Sequence, residues 1–377
     1  MNQKKLIRKE KRYFSRIQED INDPHYFEIY KKVRTGRQAS LNYNKRRVKK
    51  IIKQEKGCQP SVSVINFKEN IDLYNSKYSD TTINCANKIS NTKTKKVFLN
   101  FKKIDFMSAA ATAMLLSAIY RAKSKNKYIT CNYPASLKTC AIMKQVGIFD
   151  AMDKAPPENC NVDEFPDVKH WYKFVNDTLI DTKRVSQEAH KIIDFCCNKN
   201  VENIGDYRDS LELNIGETIL NIFDHAYEKE SAGKYWVLFA QYDTDKKSLC
   251  LIVSDHGIGI PKTFQNYHEK DSGWDIFLNK LAPSHRANNY IKESIENLFE
   301  LTKSKSYKKK STQDRMGRGT GLKKIRNEID KYNSGYLNVY SHDGFYSSVG
   351  NKATFKAKIF GTIIEVFIPI EAFVNNV

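Results

Sequence analysis

The stretch SLCLIVSDHGIGIP (248–261) decides the fold of the C-terminal half of this sequence. Its apolar part, LCLIV (249–253), is a short run typical of a buried β-strand. Asp255 follows it, and Gly257 and Gly259 let the backbone turn sharply and approach a ligand closely. Because ligands are commonly held at strand ends, this turn is a candidate binding loop. The alternative is a plain glycine turn that the Asp255 side chain caps.

Upstream of this strand, ETILNIFDHAY (217–227) predicts a helix with a polar face. Glu217 and Asn221 are spaced i, i+4 and therefore lie on the same side of it. An amide oxygen can ligate a hard cation such as Mg²⁺, and a carboxylate can act as a general base. The alternative is an ordinary solvated face.

Downstream, GRGTGL (317–322) predicts a glycine-rich turn that opens a helix at about Gly321. Free N–H groups at a helix N-terminus, with the positive end of the helix dipole, favour phosphate. Arg315, Arg318 and Lys323 add positive charge around this turn. The alternative is a flexible loop before a helix.

In this order, the three motifs resemble the N, G1 and G2 boxes of the GHKL superfamily of ATPases, the histidine-kinase, gyrase and Hsp90 group. Near the end of the sequence, two further strands are expected at 353–360 and 362–368, and the ending GTIIEVFIP (361–369) also resembles the final strand of that fold. The resemblance implies that Glu217 is the base, that Asn221 holds Mg²⁺ and that Asp255 binds the adenine of ATP. It assigns the rest of the ATP site to Gly257, Gly259, Ile260, Gly317, Arg318, Gly319, Thr320, Gly321 and Leu322.

The N box narrows the resemblance. Glu217, Asn221, His225 and Tyr227 are similar to the pattern of bacterial anti-sigma-factor serine kinases. By that resemblance, the segment from Pro261 to Met316 is a long ATP lid, in which Lys303 to Lys310 are candidate γ-phosphate sensors.

Residues 60–155 alternate strand and helix patterns, which predicts a small α/β domain. Strands are expected at 61–67, 96–101 and 127–133, and helices at 79–90, 109–124 and 136–146. Residues 95–152 resemble a STAS domain, in which a strand leads to a DSSG turn that carries a phosphorylatable serine. Here that turn is Ser108 to Ala111, and the acceptor position is Ala109, which has no hydroxyl. The alternative is an unrelated α/β domain whose Ala-rich helix only packs the core.

The sequence thus predicts an α/β protein in which a STAS-like α/β domain (60–155) precedes a Bergerat-fold two-layer α/β sandwich (185–372). Residues 156–184 contain three prolines and predict a linker whose later part returns to regular structure. Residues 1–57 predict a basic arm, helical or partly disordered, with 18 Lys/Arg against 6 Asp/Glu.

The chain has 377 residues and a net charge of +20, which favours anionic partners or simply a solvated surface. No apolar run reaches the roughly 18 residues of a membrane span, and the charged N-terminus lacks the apolar region of a signal peptide. We therefore expect a cytoplasmic protein without membrane association.

These observations favour a regulatory protein that binds Mg-ATP, hydrolyses it slowly if at all, and thereby switches its affinity for a protein partner. Two alternatives stay open: a serine/threonine kinase acting on a separate STAS-type protein, and a nucleic-acid-associated ATPase that uses the basic arm. Homodimerisation is a further expectation, because anti-sigma-factor kinases are commonly dimers.

Overall fold

The structure, a computed structural model, describes residues 62–169, 171–176, 235–243, 248–262, 321–331, 334–350 and 354–369, with isolated helical residues between 187 and 218 and at 291. It contains both helices and sheets, which confirms the predicted α/β class. No helix in the part of the chain that the structure describes has the length and apolarity of a membrane span.

The first part of the fold, residues 62–152, is here called the upstream unit. Its strands are β1 (Val62–Asn66), β2 (Asn70–Ile71), β3 (Lys96–Asn100), β4 (Phe106–Met107) and β5 (Tyr128–Cys131). Its helices are α1 (Ser76–Asn91), α2 (Ala109–Ser124), α3 (Leu137–Gln145) and α4 (Ile148–Ala151). Strands β1, β3 and β5 form a parallel sheet in the order β1-β3-β5, and β2 pairs with β4.

The helix boundaries in the upstream unit follow from capping side chains. The prediction of 109–124 for α2 agrees with the structure, whereas α1 begins three residues before the predicted Ser79. Asn75 accounts for the difference, because its side chain accepts a hydrogen bond from the backbone N–H of Lys77 at 3.0 Å. Ser136 caps α3 in the same way through the N–H of Thr139.

The second part of the fold is a five-stranded antiparallel sheet in the order β6-β7-β8-β10-β9. The short helix α5 (Pro166–Lys169) precedes it, and α6 (Gly321–Ile329) packs on it. The strands are β6 (Trp171–Asn176), β7 (Trp236–Asp243), β8 (Ser248–Asp255), β9 (Tyr336–Ser347) and β10 (Thr354–Pro369). Strand β6 lies inside the segment predicted as a linker.

Strand β10 differs from the sequence prediction of two strands at 353–360 and 362–368. It is one strand with a register irregularity between Ile359 and Thr362, where Gly361 has a φ of +86°. Strand β8 pairs only with the second half, Ile363–Pro369. Along the first half, Asp80 of α1 accepts hydrogen bonds from the N–H groups of Lys356 and Ala357, and Asn87 donates to the carbonyl of Lys358.

Both faces of the antiparallel sheet are buried. On one face, Leu238, Val253 and Ile364 share a core with Ile325 and Ile329 of α6. On the other face, the alternate residues, among them Phe239 and Ile252, share a core with α1, α2 and the rest of the upstream unit. Because α2 contacts strands of both sheets, it is buried nearly all round, which explains its Ala/Leu-rich sequence.

Candidate functional site

Many of the predicted site residues lie outside the described residues. These are Glu217, Asn221, His225, Tyr227, Gly317, Arg318, Gly319 and Thr320, together with the predicted sensors Lys303 to Lys310. Gly321 begins α6 as predicted, and the Leu322 side chain packs in the core beneath that helix. The described part of the site is therefore the strand-end loop, Asp255 to Pro261.

Asp255 ends β8 and is almost completely buried. Its Oδ1 accepts a hydrogen bond from the N–H of Gly257 at 2.7 Å, so this side chain caps the glycine turn. Burial raises the pKa of the carboxyl to about 7, although hydrogen bonds from the N–H groups of Gly257 and Thr362 oppose the shift. A buried carboxyl with a strongly raised pKa at a strand end is typical of a functional site.

Close packing requires a glycine at two positions, one in the loop and one in the neighbouring strand β10. Gly259 has a φ of +78°, and a Cβ there would lie 2.8 Å from Ser341 Oγ. A Cβ on Gly361 would lie 2.6 Å from Asp255 Oδ1 and closer still to the Asp255 carbonyl oxygen. Gly361 of β10 therefore lets the strand approach Asp255, and no other residue type fits between them.

Ser341 of β9 is a site residue that the sequence motifs do not reveal. Its hydroxyl accepts a hydrogen bond from the N–H of Ile260 at 3.0 Å and donates one to the carbonyl of Gly361 at 2.9 Å. It thus ties the strand-end loop to β10. Ser341 lies far from the loop in sequence, so only the pairing of β9 with β10 brings it there.

His256, the residue after Asp255, is also buried. Its pKa is lowered to about 3, first by burial and then by the positive charges of Arg121 and Lys125. The imidazole is therefore neutral at physiological pH. It faces the upstream unit, since its Nε2 lies 3.2 Å from Ser90 Oγ of α1.

The described loop offers a carboxyl acceptor fixed at a strand end, beside a glycine turn that its own side chain caps. Residues 208–371 match the family described as histidine kinase-, DNA gyrase B- and HSP90-like ATPases. The matched range spans the three motifs at 217–227, 254–261 and 317–322, and the match supports ATP binding by this segment. The upstream unit lies outside it, and no curated protein matches the sequence.

The assignments of Mg²⁺ to Asn221 and of phosphate to the glycine turn remain predictions. Asn221 and the glycine turn at 317–320 lie outside the described residues. Among the residues that the structure describes, no group of three or more His, Cys, Asp or Glu side chains is arranged to hold a metal ion.

Proposed function

We propose that this protein is a GHKL-type regulatory protein that binds Mg-ATP through residues 208–371 and thereby switches its interaction with a protein partner. The observation that carries the proposal is Asp255, buried and hydrogen-bonded at the end of β8 beside a glycine turn, inside a segment that matches an ATPase family. The Asp255 carboxyl would accept a hydrogen bond from the amino group of adenine. Asn221 would hold Mg²⁺, which neutralises phosphate charge, and Glu217 would act as the base for any hydrolysis.

Calorimetric titration of the full chain with ATP and with ITP tests this function. ITP carries a carbonyl oxygen where ATP carries the amino group, so it cannot donate to Asp255. We expect ATP to bind at least 10-fold more tightly than ITP, because a site built around a donor rejects the analogue that lacks it. Absence of ATP binding in the presence of Mg²⁺ would refute the proposal.

A serine kinase is the second candidate, and the N-box pattern Glu217, Asn221, His225, Tyr227 favours it. The upstream unit would then be a STAS-like docking module rather than the substrate. Ala109 has no hydroxyl, and the neighbouring Ser108 is buried at the start of α2. With γ-labelled ATP and a STAS-type partner, the kinase places label on the partner, whereas an ATPase releases only free phosphate.

A further inference from the structure

Helix α2 of the upstream unit contacts the residues on either side of Asp255. Ser117 of α2 donates a hydrogen bond to the carbonyl of Ser254 at 3.2 Å, and its Oγ lies 3.2 Å from Ser254 Oγ. Arg121, one turn further along α2, donates from Nη1 to the carbonyl of His256 at 3.0 Å. Since Asp255 lies between these two bonded residues, α2 fixes the backbone that carries the carboxyl.

Arg121 also contacts the strand on the other side of the loop. Its guanidinium lies 5.7 Å from the centre of the Phe360 ring, within the range of a cation–π contact. The same ring lies 6.0 Å from the ring of His256. Phe360 precedes Gly361, the residue packed against Asp255, so Arg121 connects both strands that form the base of the loop.

The helix that carries Arg121 is itself held firmly. Helix α2 packs between the two sheets, and Ser90 of α1 bonds both to the carbonyl of Ala118 in α2 and to the His256 side chain. Buried elements packed on two sides transmit displacement instead of absorbing it. A shift of the upstream unit would therefore move the backbone around Asp255.

We propose that Arg121 is a positioning residue for the adenine-binding loop, and that the upstream unit thereby sets the affinity and base selectivity of the nucleotide site. The proposal rests on the proposed ATP-binding function. In this proposal Arg121 has an indirect role. It acts through the carbonyl of His256 and the ring of Phe360, which together fix the position of the Asp255 carboxyl.

The test compares Arg121→Gln with Arg121→Lys and the control Lys123→Gln in the full chain. Lys123 lies on the same helix, but its Nζ pairs with a carboxylate oxygen of the exposed Asp153 at 2.7 Å, just after the upstream unit. Dissociation constants for Mg-ATP and Mg-ITP are measured by calorimetry at a temperature where each variant is folded. The midpoint of thermal unfolding without nucleotide is recorded alongside.

We expect Arg121→Gln to weaken ATP binding roughly 10-fold, the scale of one lost charged hydrogen bond. Its preference for ATP over ITP should fall as well, because ITP does not use the Asp255 carboxyl. Arg121→Lys should recover part of both losses, and Lys123→Gln should change neither. An ATP affinity and an ATP-to-ITP ratio equal to the wild type would overturn the proposal, even if the unfolding midpoint falls.

Two outcomes separate this inference from the function on which it rests. If the wild type binds no ATP, the proposed ATP-binding function itself is wrong, whatever the Arg121 variants show. If Arg121→Gln does not fold, the variant Ser117→Ala takes its place in the test. It removes a hydroxyl that bonds to Ser254 but removes no charge. A smaller loss of ATP affinity and of the ATP-to-ITP ratio in Ser117→Ala supports the proposal, whereas wild-type values for both contradict it.

Discussion

At the scale of single residues, the burial of Asp255 has a cost in stability that depends on pH. Its carboxyl is nearly fully buried, and its pKa is raised from 3.8 to about 7. A raised carboxyl pKa means that the folded state binds the proton more tightly than the unfolded state between these values. The contribution of Asp255 to stability is therefore present at low pH and is lost as the pH rises through about 7.

The variant Asp255→Asn should therefore bind ATP at least 100-fold more weakly yet be more stable without nucleotide at pH 8, by roughly 2 kcal/mol. Urea unfolding between pH 4 and pH 8 measures the difference from the wild type, which should widen up to about pH 7. Asp163→Asn, at an exposed position, is the control. A difference that stays constant with pH would show that the burial of charge is not its cause.

His256 has the opposite pH dependence. Its folded pKa is lowered to about 3 from 6.5, so the unfolded state binds the proton between these values and stability falls as the pH drops through this range. We expect His256→Gln to be less stable than the wild type at pH 7.5, with the difference shrinking or reversing at pH 4.5. Urea unfolding of His256→Gln and of the wild type at pH 7.5 and at pH 4.5 measures this difference.

The same His256 comparison in the Asp255→Asn background serves as its control, because the neighbouring carboxyl then no longer titrates. A deficit of His256→Gln that is equal at both pH values would contradict the assignment of the acid sensitivity to His256.

The motif identifies Asp255, Gly257 and Gly259 because they are close in sequence. It misses Arg121 and Ser341, which reach the loop only through tertiary packing.

At the scale of elements, Gly361 explains why sequence reasoning divides β10 into two strands. A glycine interrupts the alternation of apolar residues there, and the register irregularity lies at the same place. Likewise, β6 is hard to foresee because it is a short edge strand just after prolines. Long periodic elements such as α2 are predicted well, because local composition dominates them.

Two glycines allow a test of the packing against Asp255. Gly361 and Gly350 both have positive φ angles, +86° and +94°, but a Cβ at Gly350 meets nothing within 4 Å. Gly350→Ala should therefore lose only about 1 kcal/mol of unfolding free energy from backbone strain. Gly361→Ala adds a clash with the backbone of Asp255, so its loss should be roughly 3 kcal/mol.

Chemical unfolding of both variants without nucleotide provides the measurement, and ATP titration shows whether the loop is displaced. Equal losses for Gly361→Ala and Gly350→Ala would mean that β10 can move away from Asp255. That result would remove the steric reason for a glycine at position 361.

At the scale of the whole molecule, the upstream unit and the antiparallel sheet share one apolar core. A buried polar network also crosses the boundary: the Tyr74 hydroxyl donates to Glu365, which also accepts from Asn338 at 2.9 Å. Burial raises the pKa of Glu365. Sequence patterns cannot reveal such a shared core, although the apolar composition of α2 all round is consistent with packing on two sides.

We therefore expect the two parts to unfold together. Calorimetry of the full chain should show one transition for the upstream unit and the sheet, with equal calorimetric and van't Hoff enthalpies. A fragment of residues 185–377 should aggregate or bind a hydrophobic dye, because it exposes Phe239, Ile252 and their neighbours. Two well-separated transitions, or a soluble fragment that binds no dye, would contradict a common core.

The hydrogen bonds from α1 to the first half of β10 have a consequence for biosynthesis. Chains emerge from the ribosome with their N-terminal part first, and domains made early can fold before the rest. Asp80 and Asn87 are thus synthesised long before the strand half that they bond. An uncovered strand edge invites pairing with another nascent copy. Once Lys356–Lys358 have emerged, their hydrogen bonds to helix α1 cover this edge and make it unavailable to a second copy.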